Sequence, residues 1–300
     1  MELLGAQVKF VGSRYRTRII EAGSGPPLLL LHGTGGHAEN YIRNIMPFSR
    51  HFRTIAVDFL WHGASDTGHF DPELMPPLLD QIQDVLDALS IDRVHVEGQS
   101  LGGWVAALLA MRHRDRVEKL ILTTPMGYAP DAGTLPDWTP PDFDRLRENS
   151  LDCLRNPTFE NVRTRIARIV HDPAVLTDEA VAVRHRFYND PALNRAQQMV
   201  ITNYLGGSKP QRHALTDDNL RTIKVPSLVY WGEYNLTPPA LGRRLASRIP
   251  SARFHCAANT GHWAQFENFE EHNAVVLEFL NQAQADNNKG NLCHTIPRTD

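Results

Sequence analysis

Cysteine is scarce in this sequence, with only Cys153, Cys256 and Cys293 among 300 residues. Their odd number and wide spacing argue against a disulfide framework, and no CxxC pair suggests a zinc site. An excess of positive charge is also missing, because the formal net charge is −3. We therefore expect free thiols in a reducing compartment and no nucleic-acid partner.

Long apolar runs are missing as well. No stretch of about 7 to 15 apolar residues follows a basic segment at the N-terminus, and nowhere do about 20 uncharged apolar residues follow one another. These absences predict a soluble, cytoplasmic protein without a membrane contact. The length allows a single α/β core that carries an insertion.

Short apolar runs alternate with segments of helical periodicity. The first two runs, Val8–Val11 and Thr17–Glu21, predict an opening hairpin. The alternation that follows is typical of an α/β fold, in which helices flank a mostly parallel sheet. Further strands are predicted at Leu28–His32, Thr54–Asp58, Val94–Glu97, Leu120–Thr123, Ser227–Trp231 and Arg253–Ala257, and helices at Leu78–Leu89, Trp104–Met111, Ala240–Arg248 and Glu271–Phe279.

The alternation is interrupted where several prolines lead into a stretch with helical patterns and no strand pattern. We interpret residues 126–212 as a helical cap inserted between residues 1–125 and 213–283, the two parts of the core. Such an insertion usually covers a site, although a purely structural helical domain is the alternative. Residues 284–300 lack apolar periodicity and are expected to be disordered.

The strongest chemical signal is the sequence Gly-Gln-Ser-Leu-Gly at residues 98–102. This G-x-S-x-G motif directly follows a predicted strand and directly precedes a predicted helix, which is the context of a nucleophile at a tight turn. Glycines on both sides remove the Cβ atoms that would clash there. We therefore predict Ser100 as the nucleophile.

A serine hydroxyl needs a base, and in this fold the base follows the last strand. His262, in the short loop between the last predicted strand and the final helix, is the candidate among 14 histidines. The glycine-rich loop that begins at Gly33 offers backbone N–H groups that can stabilise an oxyanion. We assign that role to the amides of Thr34 and Leu101, with a plain tight turn as the alternative.

In this fold the serine and the histidine usually form a catalytic triad with an acidic residue. The third member departs from the expected pattern here, because Asn235 stands where this fold usually has an aspartate. An amide can hold the imidazole but cannot stabilise the imidazolium as a carboxylate does, and its NH₂ group can favour the wrong tautomer. Three explanations remain open: Glu233 supplies the charge, Asn235 suffices, or the chain is inactivated. Asp58 is a weaker candidate that is better explained as fixing a loop.

The chain resembles the meta-cleavage product hydrolases of the α/β-hydrolase superfamily, which split a carbon–carbon bond in vinylogous 1,5-diketones. Residues 261–267, Gly-His-Trp-Ala-Gln-Phe-Glu, look like the family's histidine loop, in which Trp263 follows the base. Asn40, Gln99 and Arg184 match its substrate-binding positions. The resemblance implies that these four residues bind the substrate's enol and carboxylate end.

Each of these binding assignments has a structural alternative. Asn40 can cap a helix, Trp263 can pack in the core, and Arg184 can be a solvated arginine of the cap. The chemistry nevertheless agrees with the resemblance, because a guanidinium holds a carboxylate bidentately while amides and an indole N–H supply neutral donors.

The resemblance further implies hydrolysis of a 2-hydroxy-6-oxohexa-2,4-dienoate type of substrate, without a metal or organic cofactor. A carboxylesterase or lactonase on the same fold, or a ligand-binding relative that lost turnover, are the alternatives. The partner is expected to be a small molecule, and a homodimer is compatible with the sequence. The substrate's substituent depends on cap residues whose directions the sequence leaves open, namely Trp138, Phe143, Phe187 and Tyr204.

Overall fold

The structure, a computed structural model, describes residues 2–131, 142–205 and 212–282. Its centre is an eight-stranded sheet with the order β1-β2-β4-β3-β5-β6-β7-β8, in which β1 and β2 run antiparallel to their neighbours and the other strands are parallel. The predicted α/β fold is therefore confirmed. The strands are β1 Gln7–Val11, β2 Thr17–Ala22, β3 Pro27–Leu31, β4 Arg53–Val57, β5 Val94–Gln99, β6 Val117–Thr123, β7 Ser227–Gly232 and β8 Ala252–Ala257.

Helices pack on both faces of the sheet. One of them, Ile42–Ser49, was not predicted, because it is short and contains Pro47, which normally interrupts a helix. No helix within the described ranges is both long and apolar enough to cross a membrane. The helices are α1 Ile42–Ser49, α2 Met75–Ala88, α3 Leu101–Arg112, α4 Phe143–Arg155, α5 Phe159–Ala167, α6 Asp178–Tyr188, α7 Pro191–Tyr204, α8 Asp217–Leu220, α9 Pro239–Arg248, α10 Ala264–Glu267 and α11 Phe269–Asn281.

Helices α4 to α7 form the insertion between β6 and β7. Each of these helices has an N-cap residue whose side chain accepts a hydrogen bond from a backbone N–H of the first turn. The N-cap residues are Asp142, Thr158, Thr177 and Asp190. Their apolar faces form one buried cluster that includes residues of the loop and helix around residue 263. Trp138, Cys293 and the predicted tail lie outside the described residues.

The carboxylate of Asp58 organises the loops that follow β3 and β4. It accepts hydrogen bonds from the backbone N–H groups of Ala38 at 2.6 Å and Ala64 at 2.8 Å, and it pairs with Arg18 at 3.1 Å. None of its hydrogen bonds involves His262. The structure thus agrees with the interpretation of Asp58 as a loop-fixing residue.

Parallel pairing brings the carboxyl ends of β3 and β5 to the same edge, with Leu31 opposite Gly98. The loop after β3 and the turn after β5 therefore lie side by side. Helix α3 starts at this turn and is buried from Leu101 through Ala110, as expected for a helix that is apolar on all sides. A Cβ atom at Gly102 would collide with the carbonyl oxygen of Leu31, so a glycine is required for this close approach.

We predict that Gly102→Ala lowers the free energy of unfolding by about 2 to 3 kcal/mol, because the added methyl group forces α3 away from β3. Thermal or denaturant unfolding measures the loss. Gly68→Ala is the control, because a Cβ there meets nothing within 4 Å. Equal stability of the two variants would contradict the inferred contact.

Candidate active site

The turn between β5 and α3 holds Ser100 in a conformation that side chains rarely adopt, with φ 55° and ψ −115°. Three backbone hydrogen bonds fix it: Ser100 N–H donates to Thr123 O at 3.1 Å, and the carbonyl of Ser100 accepts from Trp104 N–H at 3.1 Å and Met126 N–H at 3.0 Å. Such strain persists only where the surroundings enforce it. The predicted nucleophile thus has the backbone geometry expected from its motif.

Ser100 and His262 line the same cavity beneath the inserted helices. The cavity measures about 780 Å³, counted out to the open solvent at its mouth. None of the described residues that line it is acidic. Its polar lining consists of Thr34, Asn40, Gln99, Ser100, Asn149, Ser150, Arg165, Arg168, Arg184, Tyr204 and His262, and its apolar lining of Met126, Phe143, Leu146, Ile169, Leu205 and Leu236.

Two side chains hold the loop that carries His262. The backbone carbonyl of His262 accepts hydrogen bonds from Gln99 Nε2 at 3.0 Å and from Thr124 Oγ1 at 2.8 Å. Gln99, which also lines the cavity, therefore connects the end of β5 to this loop. Thr124 was not singled out from the sequence, and only its position after β6 could have indicated it.

The imidazole of His262 is buried, and burial lowers its pKa to about 4. It is therefore neutral at physiological pH, as a base must be. Its Nδ1 lies 2.6 Å from Asn235 Oδ1. Because a carbonyl oxygen only accepts, Nδ1 carries the proton in this arrangement and Nε2 keeps a free lone pair.

Thr237 positions the amide of Asn235, since Asn235 Nδ2 donates to Thr237 Oγ1 at 3.0 Å. The oxygen of the amide consequently faces the imidazole, as a carboxylate oxygen would. The concern that the NH₂ group selects the wrong tautomer does not apply to this arrangement. Glu233 is exposed, and its carboxylate accepts a hydrogen bond from Asn259 N–H at 3.0 Å, so the structure gives no support to Glu233 as the substitute.

The residues predicted to form the oxyanion hole lie beside the serine. Thr34 lines the cavity, and Leu101 is the first residue of α3, so its N–H has no acceptor within the helix. The hydroxyl of Tyr204, at the end of the cap helix α7, also lies near the side chains of Thr34 and Ser100. Burial raises its pKa, and the nearby hydroxyls of Thr34 and Ser100 act in the opposite direction.

Asn40 and Arg184 form one unit at an end of the cavity. Arg184 Nη2 donates to Asn40 Oδ1 at 2.8 Å, and both residues line the cavity. Trp263 has a different place from the one expected, because it is not among the lining residues. Its indole Nε1 donates to the backbone carbonyl of Asn40 at 3.3 Å, and its ring centroid lies 5.4 Å from the guanidinium of Arg184. Trp263 therefore contacts both Asn40 and Arg184 without lining the cavity itself.

The structure shows the positions of three cap residues whose directions the sequence left open. Phe143 and Tyr204 line the cavity, whereas Phe187 packs on His37 with ring centroids 5.0 Å apart. Arg165 was missed in the sequence, where it is one of many cap arginines. In the described part of the chain, no group of three His, Cys, Asp or Glu residues could hold a metal ion.

A family model described as "alpha/beta hydrolase fold" matches residues 26–269. A 2-hydroxy-6-oxononadienedioate/2-hydroxy-6-oxononatrienedioate hydrolase from Paraburkholderia phymatum is 32% identical over 283 residues, which cover 90% of this chain and 93% of that protein. A 2-hydroxy-6-oxo-6-phenylhexa-2,4-dienoate hydrolase from Comamonas testosteroni is 30% identical, over 87% and 90% of the two chains. Among solved structures, the hydrolase of the latter type from Rhodococcus sp. strain RHA1 has a TM-score of 0.81 at 21% identity, and the match covers 92% of this chain and 100% of that one.

The fold, the strained serine turn and the histidine after the last strand define the class of α/β-hydrolases. Within this class, the chain belongs to the meta-cleavage product hydrolases, the hydrolases of carbon–carbon bonds that its sequence resembles. The resemblance stated from the sequence is therefore confirmed.

The neutral state of His262 makes a prediction about pH. If neutral His262 is the base, kcat/KM falls only as the pH approaches about 4 from above. In Asn235→Asp, the new carboxylate stabilises the imidazolium, so the pKa of His262 rises toward the ordinary range of an imidazole. The variant then loses most of its activity at about pH 5, where the wild type keeps it.

Rate profiles with pH and NMR titration of the imidazole measure both effects. Asn281→Asp, at the exposed end of α11, adds the same charge away from the site and serves as the control. Superimposable profiles of Asn235→Asp and wild type would argue against the role of His262 as base.

Proposed function

We propose that the protein hydrolyses the C5–C6 bond of a 2-hydroxy-6-oxohexa-2,4-dienoate, a ring-fission product, with Ser100, His262 and Asn235 as its catalytic residues. The products are a 2-hydroxypenta-2,4-dienoate and a carboxylic acid. The printed names of two relatives, which act on dienoates of this type, support this substrate class. We propose that a small molecule of this kind is the partner of the site.

The first stage is ketonisation. The bound dienolate takes up at C5 a solvent proton that Nε2 of His262 relays, and the enolate oxygen becomes a ketone. This step makes the neighbouring C5–C6 bond breakable, since electrons released from that bond are accepted by the new ketone. The neutral imidazole and the orientation set by Asn235 suit a group that moves protons at neutral pH.

The second stage is attack on the C6 carbonyl by Ser100, or by water activated through it. The amides of Thr34 and Leu101 then stabilise the oxyanion. Cleavage leaves the acyl part on the attacking oxygen and the electron pair of the broken bond on the dienolate. In the Ser100 route, the hydroxyl proton passes to His262, and one water then hydrolyses the acyl-serine to release the carboxylic acid. In the water route, the attacking water itself becomes part of the acid.

One observation carries the choice of a dienoate over a simple ester. The cavity that contains Ser100 also contains Arg184, which is 1% exposed and has no carboxylate within 4 Å in the described part of the chain. A buried guanidinium without a counter-ion is costly, and a substrate carboxylate removes that cost. A neutral ester makes no use of it.

The direct test mixes the purified protein with yellow ring-fission products of several aromatic compounds and follows the visible absorbance. The wild type bleaches at least one dienolate much faster than it hydrolyses p-nitrophenyl esters. Ser100→Ala and His262→Ala each slow bleaching by at least about 10³-fold.

Ser247→Ala, on the exposed side of α9, is the control and keeps wild-type rates. If short esters are hydrolysed while every dienolate keeps its colour, the protein is an esterase and the proposal is wrong. If neither reaction occurs but dienolates bind, the chain is a ligand-binding relative.

A further inference from the structure

Three arginines line the cavity, and two of them, Arg165 and Arg184, lie at the same end of it. Arg165, near the end of α5, lines the cavity together with Arg184 of α6. Both contact Tyr188: Arg165 Nη1 donates to the hydroxyl of Tyr188 at 2.5 Å, and Arg184 interacts with the same side chain. The hydroxyl of Tyr188 donates in turn to the carbonyl of Gly35 at 3.1 Å.

The charges of this pair are not compensated. Within the described ranges, no carboxylate lies within 4 Å of either guanidinium, whereas Arg18, Arg244 and Arg248, which are also partly buried, each have such a partner. The Nε atoms of Arg165 and Arg184 are both buried without a hydrogen-bond partner. Burial lowers the pKa of Arg184, and the positive charge of Arg165 acts in the same direction, so the two groups repel each other. An anionic ligand would relieve the repulsion and satisfy the free donors.

We propose that Arg165 is a second substrate-binding arginine, which acts with Arg184 on the doubly anionic head of the bound dienolate. This inference rests on the proposed function. The head carries a C1 carboxylate and, on the adjacent carbon, the C2 enolate oxygen. One guanidinium matches the carboxylate, and the other stabilises the enolate. The site therefore selects the ionised dienolate over its neutral enol.

Such a pair has a consequence for the bound substrate. Positive charge beside the C2 oxygen favours its ionised form, so the pKa of the 2-hydroxyl group falls on binding. Removal of one charge should reverse part of this shift. A role of Arg165 that is only structural, through its hydrogen bond to Tyr188, would leave the ionisation of the ligand unchanged.

The test uses Arg165→Gln in a Ser100→Ala background, where the ligand is bound but not turned over. Glutamine keeps a donor for the hydroxyl of Tyr188 and loses the charge. With 2-hydroxy-6-oxo-6-phenylhexa-2,4-dienoate as the probe, binding weakens by about tenfold to a hundredfold, and the spectrum shifts from bound dienolate toward bound enol. Arg165→Lys restores part of both.

Arg145→Gln, an exposed arginine at the start of α4, removes the same charge from the cap and serves as the control. With Ser100 present, Arg165→Gln raises KM for the dienoate, while the rate on p-nitrophenyl butyrate stays within about twofold of wild type. Unchanged dienolate binding and spectrum in Arg165→Gln would overturn the proposal. So would a parallel loss on both substrates with a lowered melting temperature.

Binding of oxalate tests the two-arginine site independently of the proposed reaction. Oxalate presents two adjacent anionic groups, and its binding requires no cleavage. Calorimetry should find oxalate bound to the wild type and bound about tenfold more weakly by Arg165→Gln. If the wild type cleaves no dienoate but this difference remains, the proposed reaction is wrong and the two-arginine site stands. Equal oxalate affinities, or no binding at all, contradict the site.

Tyr188→Phe gives a second test in case Arg165→Gln fails to fold. This variant removes the hydroxyl group with which both arginines interact, so we expect it to weaken oxalate binding.

Discussion

The turn that forces Ser100 into positive φ is the constraint on which the site depends. It exists because α3 starts immediately after β5 and lies against β3, which Gly102 permits by its missing side chain. A strained residue of this kind costs about 1 to 3 kcal/mol. The burial of α3 along most of its length offsets this cost, so the geometry of the serine is maintained by the core and not by the loop itself.

Charge is distributed unevenly around that serine. The imidazole of His262 is neutral because it is buried, its partner Asn235 is an amide, and none of the described lining residues is acidic. The formal charge among the described lining residues is therefore positive and comes from the cap arginines Arg165, Arg168 and Arg184. A site with these charges favours an anionic ligand over a neutral one. The asparagine fits this pattern, since it contacts the imidazole without adding a negative charge to the site.

The sequence predicted what depends on local pattern. Apolar periodicity located the strands and most core helices, and the motif at residues 98–102 located the strained turn, because turn and flanking elements are contiguous. It missed features set by the direction of the cap helices. Arg165 looks like the other cap arginines, and the direction of Tyr204 stays open, until the helices are placed over the sheet. The sequence left open whether Trp263 binds the substrate or packs in the core, because the side of Asn40 that its ring occupies depends on tertiary packing.

Hydrogen bonds join the cap to the loop that carries His262. The carboxylate of Glu267 accepts hydrogen bonds from the backbone N–H groups of His171 at 2.6 Å and Asp172 at 2.8 Å, and from that of Gly261 at 2.6 Å. Trp263 N–H adds a bond to the carbonyl of Ile169 at 2.9 Å. These bonds join the segment after α5 to the loop that carries His262. The loop that carries His262 is therefore fixed from two sides, by the cap through Glu267 and by the core through Gln99 and Thr124.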